Sequence, residues 1–296
     1  MILRSMLYVP GNKSNLFDKA VNSAADGIIF DIEDSVPISE KESARESIRE
    51  FTDKLGQHKK EVFVRVNSMK SGIVENDVHG IVNKKVSGII LAKTESEKEI
   101  SDLAELIENE EKKYGISTKQ IKIIALIESA LGVINCHKIG KSKERVIGIA
   151  FGAGDYMSDL GLDITNISNN QEELLFAKSS IVNICKAFGL EAIDSPYLLS
   201  LKDVKKFEKE VNIAKKLGFS GKQCIHPNQI EFVNQSFSPT KKSIEHSKRL
   251  IKAFEEAENL GMGAVSFEGK MIDIMSYKQA KKVLEKEKSL MEKIKK

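Results

Sequence analysis

Residues 121–161 run IKIIALIESALGVINCHKIGKSKERVIGIAFGAGDYMSDLG, and the reading of this stretch decides the fold. Twice an apolar, β-branched run stops at a carboxylate. Ile123 to Ile127 runs into Glu128, and Val146 to Phe151 passes Gly152 and Gly154 to reach Asp155. Between the two runs, Ala130 to Lys143 has helical spacing. Strand, acid, helix, strand, acid is the order of consecutive βα units in a parallel sheet. In such sheets functional groups collect just beyond the carboxyl ends of the strands. Adjacent strands lie about 5 Å apart, so the two carboxylates can share one hard divalent cation. Mg2+ suits oxygen ligands and keeps waters or substrate oxygens in its shell. Each acid taken singly would serve equally as a helix N-cap. The Gly-Ala-Gly before Asp155 favours a ligand, because it clears side chains from the strand end and lets something approach the backbone.

Upstream, the same alternation continues. Met6 to Val9 is a short apolar run stopped by Pro10-Gly11, and Ser14 to Ala25 has helical periodicity. Gly27 to Phe30 leads into Asp31, Glu33 and Asp34, and Ser39 to Leu55 forms an amphipathic helix in which Ser39 and Glu42 have capping-box spacing. Val62 to Val64 leads to Arg65, Val74 to Lys85 is helical, Gly88 to Leu91 leads to Lys93, and Glu95 to Tyr114 is a long charged helix. Downstream, Glu172 to Phe188 is helical, Glu191 to Ile193 leads to Asp194, Ser200 to Leu217 is helical, and Gly221 to Ile225 leads to His226-Pro227. About eight short apolar runs alternating with helices predict a (β/α)8 barrel before a doubly wound sheet. No G-x-G-x-x-G opens a helix after the first run, which disfavours a dinucleotide fold. The expected strand ends carry Asp31, Glu33, Asp34, Arg65, Lys93, Glu128, Asp155, Asp194 and His226. Ionisable groups gathered on one rim are costly unless paired or liganded, so this rim is the expected site.

At 296 residues the chain is long enough for one such barrel plus an extension. The charge is balanced, 46 Lys and Arg against 43 Asp and Glu, so neither nucleic acid nor a membrane surface is expected as a partner. No apolar run approaches the roughly 20 residues of a membrane span, and MILRSMLYVPGNK lacks the apolar core of a signal peptide. Cys136, Cys185 and Cys224 form no CxxC and cannot all pair, as expected of reduced thiols in the cytoplasm.

Beyond Phe237-Ser-Pro239 the pattern changes. Thr240 to Leu260 is helical, Gly261 to Asp273 has the glycines of a hairpin or loop, and Ser276 to Lys295 is a final helix. The expected division is therefore a barrel over 1–238 and a C-terminal segment over 239–296, either a packing arm or a lid that carries chemistry.

RSMLYVPG, FDIEDSV, VRVN, IALIES, GIAFGAGDY, AIDSPY, LGFSGKQCIHPNQ and GKMID follow one another along the chain. In this order they resemble the citrate lyase β-subunit-like group of the HpcH/HpaI aldolase superfamily, which includes malyl-CoA and citramalyl-CoA lyases. The resemblance covers nearly the whole chain. It implies a (β/α)8 TIM barrel with a C-terminal helical lid, a Mg2+ site, and reversible Claisen-type cleavage of a β-hydroxyacyl thioester carried on CoA or an acyl-carrier protein. It also implies a homo-oligomer, a trimer or its multiple, in which the C-terminal segment covers a neighbour's site. Position by position, Glu128 and Asp155 match the metal ligands, Glu128 also facing the substrate. Arg65 in VRVN matches the substrate-binding arginine, and Asp273 in GKMID matches the catalytic acid of the lid. Glu33 and Asp34 match an acidic pair expected to make outer or water-mediated metal contacts. Two departures stand out: Ile274-Met275 where relatives often have Pro soon after the lid Asp, and GAGD where many have GAED. Arg4 and Lys13 are candidates for carrier phosphates, and His226 is a candidate base or a structural hydrogen-bonder. Two other readings remain at this level: the β subunit of a citrate lyase complex acting on citryl-acyl-carrier protein, and a non-catalytic barrel that binds metal or thioester. The sequence leaves open which 2-oxo acid is released.

Overall fold

The computed structural model describes residues 1–56, 60–142, 144–163, 167–168, 170–197 and 202–295. Eight parallel strands pair in chain order and close on themselves. They are β1 (Ser5–Pro10), β2 (Gly27–Asp31), β3 (Glu61–Val66), β4 (Gly88–Leu91), β5 (Lys122–Ile127), β6 (Val146–Phe151), β7 (Glu191–Asp194) and β8 (Gly221–Cys224). The helices between and after them are α1 (Phe17–Val21), α2 (Lys41–Lys54), α3 (Val74–Ile81), α4 (Glu97–Lys113), α5 (Ala130–Lys141), α6 (Ala153–Asp159), α7 (Leu175–Phe188), α8 (Val204–Leu217) and α9 (Ile230–Ser236). This is the expected (β/α)8 barrel. Lys143 and Ser200, where two helices were expected to end and to begin, lie outside the described residues.

Strand parity builds the interior. Met6, Ile29, Phe63, Leu126 and Ala150 belong to one buried cluster that also takes in Ile90, Ile124 and Ile193. Side chains on a strand alternate faces, so residue i+2 points the same way roughly 6–7 Å further along. Two residues beyond that cluster stand Tyr8, Asp31, Arg65, Glu128 and Gly152. The apolar layer is thus the floor, and the polar layer above it is forced onto the carboxyl ends of the strands, where barrel sites lie. The register supports this directly, pairing Asp31 with Arg65 across β2 and β3, and Ile127 with Phe151 across β5 and β6.

Two expectations need correction. Asp194 does not join the rim. Ile193 faces the interior cluster, so its neighbour turns outward, where Asp194 is fully buried between Lys178 at 3.0 Å and Lys222 at 2.7 Å. Lys222 also meets Glu210 at 2.5 Å, and Lys178 donates to Gln171 at 2.7 Å. A buried charge needs such partners, and this network, made by α7, α8, β7, β8 and the turn before α7, sits in the barrel wall. The Ser39–Glu42 capping box is likewise absent. Pro37 leads into a 3-10 turn at Ile38–Glu40, which places Ser39 inside it and leaves Glu40 before α2 with no side-chain cap. A capping box does open α4, where Ser96 and Glu99 satisfy each other's backbone.

Leu3–Asn234 form one compact unit, and Met1–Ile2 with Gln235–Lys296 form a second. In the second, α10 (Lys241–Asn259) starts at Thr240, whose hydroxyl accepts from the Ser243 N–H. A hairpin of β9 (Val265–Phe267) and β10 (Lys270–Ile272) follows, then α11 (Ile274–Lys295). Leu250, Phe254, Ile272 and Ala280 form its core, with Tyr277 stacked on Phe254 at 4.9 Å. Among the described residues no helix is long and apolar enough to cross a membrane.

Candidate active site

A cavity of about 300 Å3 opens at the carboxyl ends of the strands. The second layer supplies its polar wall through Tyr8, Asp31, Arg65, Glu128 and Gln223, and Asp155 joins them from the first turn of α6. Four residues of the expected rim, Asp31, Arg65, Glu128 and Asp155, therefore share one cavity.

Arg65 is held from three sides. Its Nε and Nη2 each lie 2.7 Å from one oxygen of Asp31, Nη1 lies 3.1 Å from Glu33, and the guanidinium sits 5.0 Å from the centre of the Tyr8 ring. Burial works against the Asp31 charge, but the hydrogen bonds and charge of Arg65 outweigh it and hold the carboxyl below the usual range. The side-on fork of Arg65 is taken by Asp31. With one N–H of Nη1 facing Glu33 and one of Nη2 given to Asp31, a ligand carboxylate is left one further N–H on each nitrogen, now fixed in direction. Tyr8 and Gln223 were not singled out from sequence, although the inward parity shared by Met6 and Tyr8 was available as a signal. The Tyr8 hydroxyl donates to Gln223 Oε1 at 2.8 Å, and Gln223 Nε2 donates to the carbonyls of Phe151 and Asp194 at 2.9 and 3.1 Å. Tyr8 thus ties the floor under Arg65 to the ends of β6 and β7.

Glu128 is buried, and burial pushes its carboxyl up to about 8. Arg65 pulls it down, while the negative charges of Asp155 and Glu33 push it further up. Its Oε2 accepts from the Lys93 N–H at 3.0 Å. Lys93 adopts φ +51°, a left-handed conformation strained for a residue with a Cβ. Opposite, Gly152 makes room: a Cβ there would lie 2.3 Å from Glu128 Oε1. A carboxyl whose proton affinity is raised by burial and by the charge of Asp155, all-oxygen donors and a seat cleared of side chains fit a hard divalent cation. Mg2+ needs few protein ligands, because it keeps several waters or substrate oxygens in its shell. A metal here must displace the Glu128 proton. Because that carboxyl titrates near 8 in the metal-free protein, Mg2+ affinity is expected to rise as pH rises from 6 to 8, by up to about tenfold per unit, and to level off above. Calorimetric titration across that range tests this, and a flat affinity would remove Glu128 from the ligand set.

Glu33 and Asp34 do not point into the cavity lining. Lys93 Nζ bonds Glu33 and lies 3.1 Å from Asp34. Burial raises the Glu33 carboxyl despite the neighbouring Arg65, whereas burial of Asp34 is outweighed by hydrogen bonds from Glu33 and Lys93, which lower it. The pair brace Arg65 and Lys93. His226 caps the short turn Pro227–Gln229, with Nδ1 accepting from the Asn228 N–H at 3.2 Å, and does not line this cavity. Arg4 is committed to Asp26, with contacts of 2.7 and 2.9 Å, while Lys13 is exposed. Asp273, in the C-terminal unit, is exposed at the start of α11. There its carboxylate accepts from the Ser276 N–H at 3.0 Å, which holds it below the usual range. Met271, Ile274 and Met275 around it are 74, 45 and 64% exposed.

The HpcH/HpaI aldolase/citrate lyase profile matches residues 4–227. The chain is 39% identical over 286 residues to citrate lyase subunit beta of Haemophilus influenzae, covering 97% of each. It is 33% identical over 300 residues to the mitochondrial citramalyl-CoA lyase of Homo sapiens, covering 98% of this chain and 87% of that one. Among solved structures, the protein CitE of Mycobacterium tuberculosis, in complex with magnesium, acetoacetate and coenzyme A, superposes with a TM-score of 0.78 at 26% identity, covering 95% of this chain and 97% of that one.

Proposed function

Because this chain belongs to the HpcH/HpaI aldolase/citrate lyase family, we propose that it is a Mg2+-dependent carbon–carbon lyase acting on a β-hydroxyacyl thioester. The substrate is of the malyl-, citramalyl- or citryl-CoA type, and the products are an acetyl thioester and a 2-oxo acid. The observation that carries this reading is the meeting of Arg65, Glu128 and Asp155 around one strand-end cavity, with Gly152 clearing the seat of Glu128.

In the cleavage direction the hydroxyl proton passes to solvent water, and its O–H pair becomes the new C=O. The carbon–carbon pair passes to the carbon α to the thioester, which takes up a proton to become the methyl of the acetyl thioester. Glu128 and Asp155 would hold Mg2+, which supplies Lewis acidity toward the hydroxyl and carboxylate oxygens. Arg65 presents its outer edge to the substrate carboxylate, and Asp31 and Tyr8 keep that edge fixed. Asp273 of a neighbouring subunit exchanges the proton with the carbon α to the thioester, so the working form is a homo-oligomer, a trimer or its multiple.

Release of acetyl-CoA from malyl-, citramalyl- or citryl-CoA in the presence of Mg2+ tests the reading. The likeness to citrate lyase subunit beta favours a second reading, the β subunit of a larger complex. Under that reading cleavage is expected only when citrate is carried on an acyl-carrier protein. Arg65→Lys keeps the charge but loses both the Asp31 fork and the fixed outer edge. It is expected to cost about 2–4 kcal/mol in kcat/KM. An unchanged kcat/KM would make Arg65 a structural residue only.

A further inference from the structure

Tyr8, Ser35 and Gln223 are uncharged polar side chains of the cavity lining, and the surroundings of Gln223 settle the direction of one proton among them. Gln223 is buried. Its amide nitrogen lies 2.9 Å from the Phe151 carbonyl and 3.1 Å from the Asp194 carbonyl. Carbonyl oxygens only accept, so both are served by the NH2 group, and the amide cannot be turned round. Gln223 Oε1, which also only accepts, therefore faces the Tyr8 hydroxyl at 2.8 Å, and Tyr8 must donate. Burial holds this hydroxyl well above the ordinary phenol range, against the pull of Arg65, so the proton stays on Tyr8. With that single proton committed to Gln223, the Tyr8 oxygen meets anything in the cavity as an acceptor only. Its place in the barrel gives that acceptor a partner. The Tyr8 ring lies 5.0 Å from the Arg65 guanidinium on β3. Its hydroxyl reaches Gln223 on β8, which in turn reaches Phe151 at the end of β6, next to Gly152. Tyr8 thus spans the floor from the group that would grip the substrate carboxylate to the strand end beside Asp155. In a thioester of the proposed kind, the carbon that bears this carboxylate also bears the alcohol.

We infer that the Tyr8 oxygen accepts a hydrogen bond from the alcohol of the bound substrate, and that Gln223 is the positioning residue that keeps Tyr8 in the accepting role. This deepens the lyase reading above and rests on it for the identity of the alcohol. The oxo acid formed by cleavage has a carbonyl oxygen at the same place, with no proton to give, and it faces a lone pair of Tyr8. The Tyr8–Gln223 pair therefore holds the alcohol and loosens the oxo acid, which favours product release.

Binding of lactate and of pyruvate to Mg2+-loaded full-length protein, with chelation of free Mg2+ subtracted, tests this without turnover. The two acids carry an alcohol and a carbonyl at the same carbon. Tyr8→Phe keeps the ring beside Arg65 and removes the oxygen. It is expected to weaken the better-bound enantiomer of lactate by about three- to tenfold, the usual effect of one neutral hydrogen bond, and to leave pyruvate unchanged or slightly tighter. The ratio of the two affinities is decisive, because damage to Arg65 or to the metal seat weakens both acids together. Gln223→Met frees the Tyr8 proton to turn toward the ligand and is expected to shift the ratio toward pyruvate as well. In the Tyr8→Phe background the same change should leave the ratio unmoved, because no hydroxyl proton remains to be directed. A ratio unmoved in Tyr8→Phe, whether both acids weaken equally or neither does, would overturn the inference, as would wild-type protein that fails to bind lactate. A ratio that Gln223→Met leaves unmoved, or moves equally with and without the Tyr8 hydroxyl, would overturn the positioning role of Gln223. Absence of thioester cleavage together with a ratio shifted in Tyr8→Phe would instead count against the lyase reading and leave this inference supported.

Discussion

Glu128→Gln and Asp155→Asn are each expected to abolish Mg2+-dependent cleavage, a loss of several kcal/mol of charge stabilisation or roughly 10³-fold or more in kcat. Both residues line the cavity and neither belongs to the apolar floor, so the loss should come without unfolding. For Glu128 the sign of the stability change can be worked out. Its carboxyl is raised to about 8 in the folded protein, from an ordinary value of 4.5. The folded state therefore binds more protons than the unfolded one across that window, and the Glu128 contribution to stability is lost as pH rises through it. Gln carries no such penalty. Metal-free Glu128→Gln protein should consequently be at least as stable as wild type at pH 8 to 9, while failing to gain stability from added Mg2+. Gly152→Ala provides an independent check that changes no charge. Its Cβ would come within 2.3 Å of Glu128 Oε1, forcing the carboxylate aside, and activity should fall with Mg2+ affinity. Wild-type turnover that survives EDTA, or a Gly152→Ala variant with unaltered Mg2+ affinity, would sink the metal assignment.

The barrel was legible in the sequence because its strands are buried on both faces and so appear as unbroken apolar runs between helical segments. The eighth strand is the exception. Gly221–Cys224 holds Lys222 and Gln223 fully inside, the first satisfied by Asp194, Ser195 and Glu210, the second by Tyr8 and two carbonyls. Only its place in the alternation marked it as a strand. Glu128 and Asp155 were legible for a related reason, since each ends an apolar run and a glycine-rich turn precedes the second. What one strand cannot show is which residues face each other across the sheet. Asp31 and Arg65 are register partners, so the side-on fork of Arg65 is turned to Asp31, a pairing that neither strand shows alone. Asp194 was misplaced because strand β7 carries its inward residue one position earlier, at Ile193. That phase is invisible until the barrel closes.

Asp273→Asn is expected to leave Mg2+ affinity and substrate binding nearly intact and to lower kcat by about 10²–10⁴-fold, the usual contribution of a proton-transfer group. The substitution is well matched to the local structure. Asp273 accepts from the Ser276 N–H at the start of α11, and Asn performs that cap about as well. Folding of the hairpin and helix should therefore be preserved, and any loss of turnover reports on the proton. In the single chain the carboxylate is exposed and held ionised by its cap, which suits neither storage nor delivery of a proton. The exposed Met271, Ile274 and Met275 beside it would be covered if a second copy received this segment, and the same covering would strip water from the carboxylate and raise its proton affinity. Subunit mixing separates this arrangement from the alternatives. Asp273→Asn protein has intact metal sites and defective lids, whereas Glu128→Gln protein has the reverse. If the lid acts on a neighbouring subunit, exchanged oligomers contain interfaces where an intact metal site meets an intact lid, and part of the wild-type rate returns. With exchange verified by differently tagged subunits, absence of rescue would place Asp273 over its own subunit's cavity or outside the reaction.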